Sequence, residues 1–429
     1  MTSATRSKPS DLYENIKACR ICGGEALAEC MSFGEQFLAS AFVKTNVGHP
    51  LADAKVPLSL VLCGQCGMLQ LKETVDRGAL FDDYFYRSAT NPMMRDALKD
   101  LIDDVTSRVE LNNDDVILDI GANDGTMLSF YPDTYRRVGV EPAGNISWDG
   151  LDGSINIVND FFNEGNVRSV VGDAQCKIIT SVAMMYSVPD LNAFAQDVKS
   201  LLADDGVWCI QLSYLPRLLE TMSFYDVCHE HLYYFSLTTL NFLLERNGLS
   251  IFDVATNDVN GGSLRVFVTD SAHPREKTEA FHRQMQQEES LGLRDGETYD
   301  RFYRRILDMK ETINAFIRAE NEKGEMVVRL GASTKGNVLL QFFGIDSGSL
   351  PYISERNPEK VSLRTLGTDI ELVSELRARE MNPSAMLVLI WFFKDELIKR
   401  EREYLDNGGK LLFPMPYCHV VTKDGEEHL

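Results

Sequence analysis

Apolar positions along this chain fall into two rhythms. Short apolar runs, bounded by glycine or polar turns, have the pattern of strands buried on both faces. Val116-Ile-Leu-Asp-Ile120 is the clearest, followed by Arg137-Val-Gly-Val-Glu141, Cys176-Lys-Ile-Ile-Thr-Ser-Val182 and Gly206-Val-Trp-Cys-Ile-Gln211. Residues 249–254 and Ser263-Leu-Arg-Val-Phe-Val268 close the set. Between them the spacing turns helical: Met93, Met94, Leu98, Leu101, Ile102 and Val105 share one face of a helix expected over 92–111, and Pro189-Asp190 caps another over 191–203. A third helix is expected to start at Thr126-Met-Leu-Ser-Phe130, after a glycine turn. This alternation predicts an α/β domain with a mainly parallel sheet over about 76–275.

The rhythm then repeats. Residues 275 to about 322 are charged and helical, with Ile306, Met309, Ile313 and Phe316 in register, and are expected to form a linker helix. From about 323, Met326-Val-Val-Arg-Leu330, Leu350-Pro-Tyr-Ile-Ser354, Met386-Leu-Val-Leu-Ile-Trp391 and Lys410-Leu-Leu-Phe413 predict strands of a second α/β domain, the last one at 410–413. Its first turn, Gly331-Ala-Ser-Thr-Lys-Gly336, precedes a helix over 337–342 and lacks the Gly-Lys-Ser/Thr of a P-loop. Backbone N–H groups with Ser333, Thr334 and Lys335 at a helix N-terminus still suit a phosphate.

Composition adds bounds. At 429 residues the chain is long enough for about three domains, and its 44% hydrophobic and 25% charged fractions describe a globular protein. No run of 18 apolar residues predicts a membrane span, and the polar first residues lack the core of a secretory signal, so a cytoplasmic protein is expected. A net charge of −21 argues against nucleic acid. Arg301-Phe-Tyr-Arg-Arg305 is the nearest approach to a basic cluster and is expected on a solvated helix face. No membrane partner is expected, and the assembly is a monomer or small homo-oligomer.

Four of the nine cysteines change the picture of the first 75 residues. Cys19-Arg-Ile-Cys22-Gly and Cys63-Gly-Gln-Cys66-Gly are two knuckles that together offer one zinc ion four thiolates, a closed structural shell. The metal would fold a small domain with little core of its own.

Chemistry is concentrated at two places. Asp119-Ile-Gly121-Ala-Asn123-Asp-Gly125 follows the first strand, and Glu141 ends the second, as in a nucleotide-binding βαβ unit. The middle glycine that a dinucleotide pyrophosphate needs is absent. Acidic residues there suit a phosphate-free ligand with a cationic end, such as S-adenosylmethionine. The stretch resembles motif I of class I methyltransferases, with Glu141 at their ribose-binding acid and Asn159-Asp160-Phe161 like the acidic-aromatic pair that holds the adenine. The second place is Phe224-Tyr-Asp-Val-Cys228-His229-Glu230-His231-Leu-Tyr-Tyr-Phe-Ser236. Its spacing is not that of His-Glu-x-x-His zinc sites, but it supplies a base, an orienting carboxylate and phenols. His229 and His231, two apart, would share a face on a strand. Tyr84 and Tyr86 in Phe81-Asp-Asp-Tyr-Phe-Tyr86-Arg-Ser alternate like residues of an extended segment with hydroxyls on one side.

Taken together, the order of these pieces, with Asn260-Gly-Gly-Ser-Leu-Arg265, Gly331-Ala-Ser-Thr-Lys-Gly-Asn337 and Trp391-Phe-Phe-Lys-Asp-Glu396, resembles the zinc-containing C-methyltransferases of nucleotide-linked keto-deoxysugars. The resemblance covers nearly the whole chain. It implies a zinc-binding domain (1–75), a Rossmann-like S-adenosylmethionine-dependent methyltransferase domain (76–275) and a Rossmann-like domain that contributes to nucleotide-sugar binding (276–429). It implies His231 as base, with Glu230, His229, Tyr84 and Tyr86 about the sugar. The donor would sit on Asp119, Gly121, Asn123, Gly125, Glu141, Asp160 and Phe161, and the substrate on Arg265, Ser333, Thr334, Lys335 and Asn337. The chain departs from the family pattern twice: Cys228 stands where a tyrosine is common, and Ser187 where a histidine is. An enolate mechanism is expected, with proton removal next to the ketone followed by methyl transfer to carbon. The alternatives are a methyltransferase of a non-sugar natural-product acceptor, a zinc-ribbon RNA methyltransferase, and a catalytically dead binding protein.

Overall fold

The computed structural model describes residues 12–48, 54–76, 80, 87–90 and 92–429. Across the first two stretches, β1 (Tyr13–Asn15) pairs antiparallel with β6 (Glu73–Val75). β2 (Leu27–Gln36), β4 (Val56–Cys63) and β5 (Leu69–Leu71) form a meander, while the two-residue β3 (Phe42–Val43) leaves it. The knuckle glycines Gly23 and Gly67 have φ of +76° and +81°, a left-handed conformation that glycine adopts without strain.

The central sheet contains β7 (Val116–Ile120), β8 (Arg136–Val140), β9 (Ile155–Val158), β10 (Cys176–Val182), β11 (Leu202–Ser213), β13 (Leu249–Asn257) and β14 (Ser263–Asp270). Their spatial order is β9-β8-β7-β10-β11-β14-β13, parallel except for β14. Both faces are covered, which is why β7 reads as an apolar run broken only by Asp119. Ile117 packs with Leu98, Leu101 and Val105 of the helix Pro92–Thr106, and Val116, Leu118 and Ile120 belong to the core on the other face. The order reverses beside β7, so the strand ends of β7 and β10 open a crevice at a topological switch point.

β12 (Tyr233–Tyr234) is sequentially inside this region but pairs with β5 of the N-terminal meander, Tyr233 opposite Gln70 and Tyr234 opposite Leu69. The C-terminal sheet is built on β15 (Val327–Leu330), β16 (Tyr352–Glu355), β18 (Glu371–Ser374), β19 (Ala385–Val388) and β20 (Lys410–Phe413), parallel in the order β18-β16-β15-β19-β20. β17 (Arg364–Thr365) carries the N-terminal β3 onto one edge. β21 (His419–Thr422) and β22 (Gly425–His428) extend the other, so 410–413 is not the last strand. Two strands thus cross the expected divisions at residues 75 and 275.

Two expected helices differ. After the glycine turn there is only a 3-10 turn, Leu128–Phe130, because Pro132 follows within two residues and disfavours helical backbone before it. The helix Gly296–Glu322 is not a bare linker: Tyr299, Phe302, Ile306, Met309, Ile313 and Ile317 are buried, and the Tyr303 hydroxyl donates to Ser32 O at 2.6 Å. The three regions meet at Phe33, whose ring lies 5.8 Å from Phe224 and 5.0 Å from Phe342. That junction sets the segment Phe224–Asp226 against the helix Gly336–Phe343. Among the described residues no helix is long and apolar enough to cross a membrane.

Candidate active site

A cavity of about 590 Å³ opens at the carboxyl ends of β7, β8 and β10, roofed by residues of the C-terminal region. One wall is the expected donor turn. Gly121 has φ +81°, and a Cβ there would stand 2.9 Å from Met184 Cγ, so backbone approaches the cavity where a side chain has no room. Glu141 Oε2 and Oε1 accept from the backbone N–H groups of Asn123 and Ala143, each at 2.9 Å. Burial pushes the Glu141 carboxyl above its ordinary value, although both N–H groups oppose the shift. Asp119, fully enclosed, is pushed up to about 7 by burial, with the Thr180 hydroxyl donating to it at 2.8 Å.

Gly121, Asn123, Glu141 and Phe161 line the cavity with Asp119. Gly125 instead serves packing, since a Cβ there would meet Leu151 Cδ1 at 2.5 Å. Asp160 is exposed beside the wall and caps Phe161 N at 2.7 Å. Asp124, expected to face a cationic ligand, is turned to the Thr126 hydroxyl and to the backbone N–H of Ala89 at 2.8 Å.

The His-Glu-His segment forms the opposite wall, and it is a turn rather than a strand. His229 and His231 therefore do not share a face. His229 points away from the cavity: its Nε2 lies 3.3 and 3.2 Å from the carbonyls of Val56 and Pro57, which accept, so His229 fastens the segment to β4. Leu71 N donates to Leu232 O, and Leu232 N to Tyr186 O. His231 lines the cavity. Its Nδ1 lies 2.9 Å from the Asp226 carbonyl. A carbonyl can only accept, so Nδ1 carries the proton and Nε2 keeps a free lone pair. Burial, then the Lys335 charge, hold the imidazole well below the ordinary histidine value, hence neutral. The Tyr186 ring lies 4.0 Å from the imidazole, centroid to centroid.

Glu230 and Cys228 line the cavity too. Glu230 Oε2 is buried and has no hydrogen-bond partner among the described residues. Burial pushes the Cys228 thiol well up, so it stays protonated. Tyr84 and Tyr86 lie outside the described residues.

The third wall comes from the C-terminal region. Ser333, Thr334, Lys335, Asn357 and Lys360 line it. Arg329, buried on β15, donates to Ser333 O at 2.7 Å and to Asn337 Oδ1 at 2.9 Å, fixing the turn. Asn337 is thereby taken out of the cavity, its amide donating to Ala39 O at 2.8 Å. Lys335 Nζ lies 3.0 Å from Asp226 Oδ1.

Arg265 is placed elsewhere and corrects the expectation. It shares its face of β14 with Phe267 and reaches the helix Pro92–Thr106, donating to Asp104 at 2.7 Å, Asp100 at 2.9 Å and Gln211 at 2.9 Å. Asp100 and Asp104, one helical turn apart, were the readable signal for it. Asp226, Tyr186, Thr180 and Lys360 are the cavity or network residues that sequence reasoning left without a role. Asp226 stood inside the Phe224–Ser236 stretch, and its hold on His231 depends on a backbone carbonyl that no residue type announces.

The four knuckle sulfurs lie within 4.8 Å of one another, Cys19 to Cys66 at 3.6 Å and Cys22 to Cys63 at 3.5 Å. That spacing and four soft donors suit zinc. The knuckle docks on the central region, with Asn192 Nδ2 donating to Ile21 O at 3.1 Å and Arg246 to the same carbonyl.

Comparison with known proteins agrees with this layout. Residues 19–81 match a zinc binding domain family, 93–254 a methyltransferase domain, and 258–416 a C-methyltransferase C-terminal domain. C-methyltransferase NovU of Streptomyces niveus is 28% identical over 418 residues, 96% of this chain and 99% of that one. Among solved structures, the 1,6-didemethyltoxoflavin-N1-methyltransferase of Burkholderia thailandensis is 15% identical, covering 48% of this chain and 96% of its own with a TM-score of 0.33. N-methyltransferase NodS of Bradyrhizobium japonicum is 11% identical, covering 42% and 97% with a TM-score of 0.32. The three matched regions, in this order and with the four-cysteine cluster, support a zinc-containing, S-adenosylmethionine-dependent C-methyltransferase.

Proposed function

We propose that the chain methylates a carbon next to the ketone of a nucleotide-linked keto-deoxysugar in the cytoplasm. The observation that carries this reading is His231, a neutral imidazole with its Nδ1 proton spent on Asp226 and a free Nε2 in the cavity wall. Oxygen and nitrogen acceptors have lone pairs of their own and need little help. A carbon becomes nucleophilic only after a base removes its proton, so a held, unprotonated imidazole favours carbon. Bound S-adenosylmethionine supplies an electrophilic sulfonium methyl. Gly121, Asn123, Glu141 and Phe161 hold that donor, with Glu141 accepting from the ribose, and Asp119 supports the turn from within. His231 takes the α-proton, and Glu230 bounds the sugar.

At the other end, Ser333 and Thr334 with Lys360 suit the diphosphate, a cationic and hydroxylic patch in a chain whose net charge is −21. This divides the labour as zinc support (1–75), donor and base (76–275) and nucleotide-sugar binding (276–429). The test is mass spectrometry of reactions with a panel of nucleotide-linked 4-keto sugars, with the methyl located by NMR. A methyl on oxygen or nitrogen refutes the mechanism, and turnover confined to non-sugar acceptors refutes the substrate class.

A further inference from the structure

The Ser333-Thr334-Lys335 turn carries three groups suited to an anion, but the structure separates the third from the other two. Lys335 Nζ is turned to Asp226, 3.0 Å from its carboxylate. The same Asp226 offers its backbone carbonyl to His231 Nδ1 at 2.9 Å. The two ends of one residue therefore anchor an ammonium and an imidazole, and both line the same cavity. Phe224, two residues before Asp226, stacks on Phe343 at 5.5 Å, so the lysine's helix and the base's segment are packed as one wall.

We propose that Lys335 is a catalytic residue, the cation that receives the enolate oxygen when His231 removes the neighbouring proton. This rests on the reading of the site as one that deprotonates a keto sugar. In the step, the C–H electron pair moves into the bond toward the carbonyl carbon, and the carbonyl π pair moves onto oxygen. The proton goes to His231 Nε2, and Lys335 donates a hydrogen bond to the new oxyanion while keeping its own proton. The enolate carbon then bonds the sulfonium methyl, the sulfur keeping the old bonding pair, and the carbonyl re-forms. His231 afterwards releases its proton to solvent, assisted by the ammonium beside it.

The need for such a group follows from the base. Burial and Lys335 make His231 a weak base, and a weak base deprotonates a ketone only where the oxyanion is met by a preorganised donor. Burial opposes the charge on Lys335, yet Asp226 above all keeps it raised, so the donor stays cationic. One ammonium thus lowers the base and stabilises the product of its action.

The experiment is exchange of the sugar's α-hydrogen in deuterated water, with S-adenosylhomocysteine filling the donor site so that no methyl moves. Lys335→Met should exchange roughly 10²–10³ times more slowly than the parent, the cost of losing one oxyanion donor. Its affinity for uridine and thymidine diphosphates should stay within about threefold, because the phosphates meet other residues. The acid limb of its residual rate should move to higher pH, since the ammonium no longer depresses His231. Lys335→Arg should recover part of the exchange. Binding of S-adenosylhomocysteine reports folding; should the Met variant fail it, Lys335→Leu, which likewise has neither donor nor charge, stands in with the same expectations.

Exchange by Lys335→Met within fivefold of the parent overturns the assignment. So does a tenfold or greater loss of diphosphate affinity with exchange at saturation retained, which would make Lys335 a phosphate clamp. Absence of exchange by the parent enzyme with every keto sugar tried would instead overturn the reading beneath the proposal.

Discussion

Glu141→Gln separates what this carboxylate does for the donor from what it does for the fold. The substitution keeps volume and removes the charge. Burial already raises the carboxyl's pKa, so the folded state favours its neutral form, and ionised Glu141 costs stability at neutral pH. An amide relieves that cost, but its NH2 end leaves either Asn123 N–H or Ala143 N–H without an acceptor, at about 1–3 kcal/mol. The two effects oppose, so the ligand-free protein should melt within about 5 °C of the parent. Binding has no such offset. A hydrogen bond from a ribose hydroxyl to a charged acceptor is worth about 1.5–3 kcal/mol, which corresponds to roughly 10- to 150-fold weaker binding of S-adenosylhomocysteine. At a ligand concentration near 100 times the parent's Kd, the parent gains about 2.7 kcal/mol; a variant weakened 100-fold gains about 0.4 kcal/mol. Thermal melts with and without ligand, and titration calorimetry, measure both sides. A variant that keeps the parent's ligand-induced shift refutes Glu141 as the ribose acceptor.

The other expected outcomes are these. His231→Ala should lose roughly 10²–10⁴ in methylation rate with donor affinity unchanged; in the parent, because the base works deprotonated and burial lowers its pKa, the rate should stay flat through neutral pH and fall only well below the ordinary histidine value, and a limb near 6.5 would contradict this. Protein purified without added metal should contain about one zinc per chain, and chelation should accelerate amide exchange over 228–236, the segment braced by β4 and β5; a metal-free protein with full activity refutes the zinc assignment. Arg265→Ala should destabilise the fold by about 2–3 kcal/mol, read by denaturant titration, because Asp104 keeps only Arg108 and Gln211 only Asn257, while nucleoside-diphosphate affinity stays constant; a weakened affinity would restore Arg265 to the substrate site.

How much of this was legible depends on whether a signal is local. β10 spans 176–182 and β7 spans 116–120, as their apolar runs indicate, because burial on both faces writes itself into consecutive residues. The knuckles and the Gly121 turn were legible because backbone conformation selects glycine. Three things were not. The helix after the turn fails at Pro132, two residues past its last turn. His229 and His231 part company because their segment is a turn whose direction is set by carbonyls of β4, distant in sequence. The short β3 and β12 carry no periodicity, since two residues cannot show one, and their partners lie in other regions.

Those two short strands bear on how such an enzyme is inherited and made. β12 seats the His231 segment in the N-terminal meander, and β3 completes the sheet of the C-terminal region, where Asn46 and Thr365, 319 residues apart, are hydrogen-bonded. A recombination that exchanged residues 276–429 would leave β3 facing a foreign edge, and one that exchanged the front of the chain would unseat His231. Acceptor range in this lineage should therefore drift by substitution around the cavity rather than by trading modules. During synthesis, the metal-binding end must also wait for chain not yet translated before its sheet is whole.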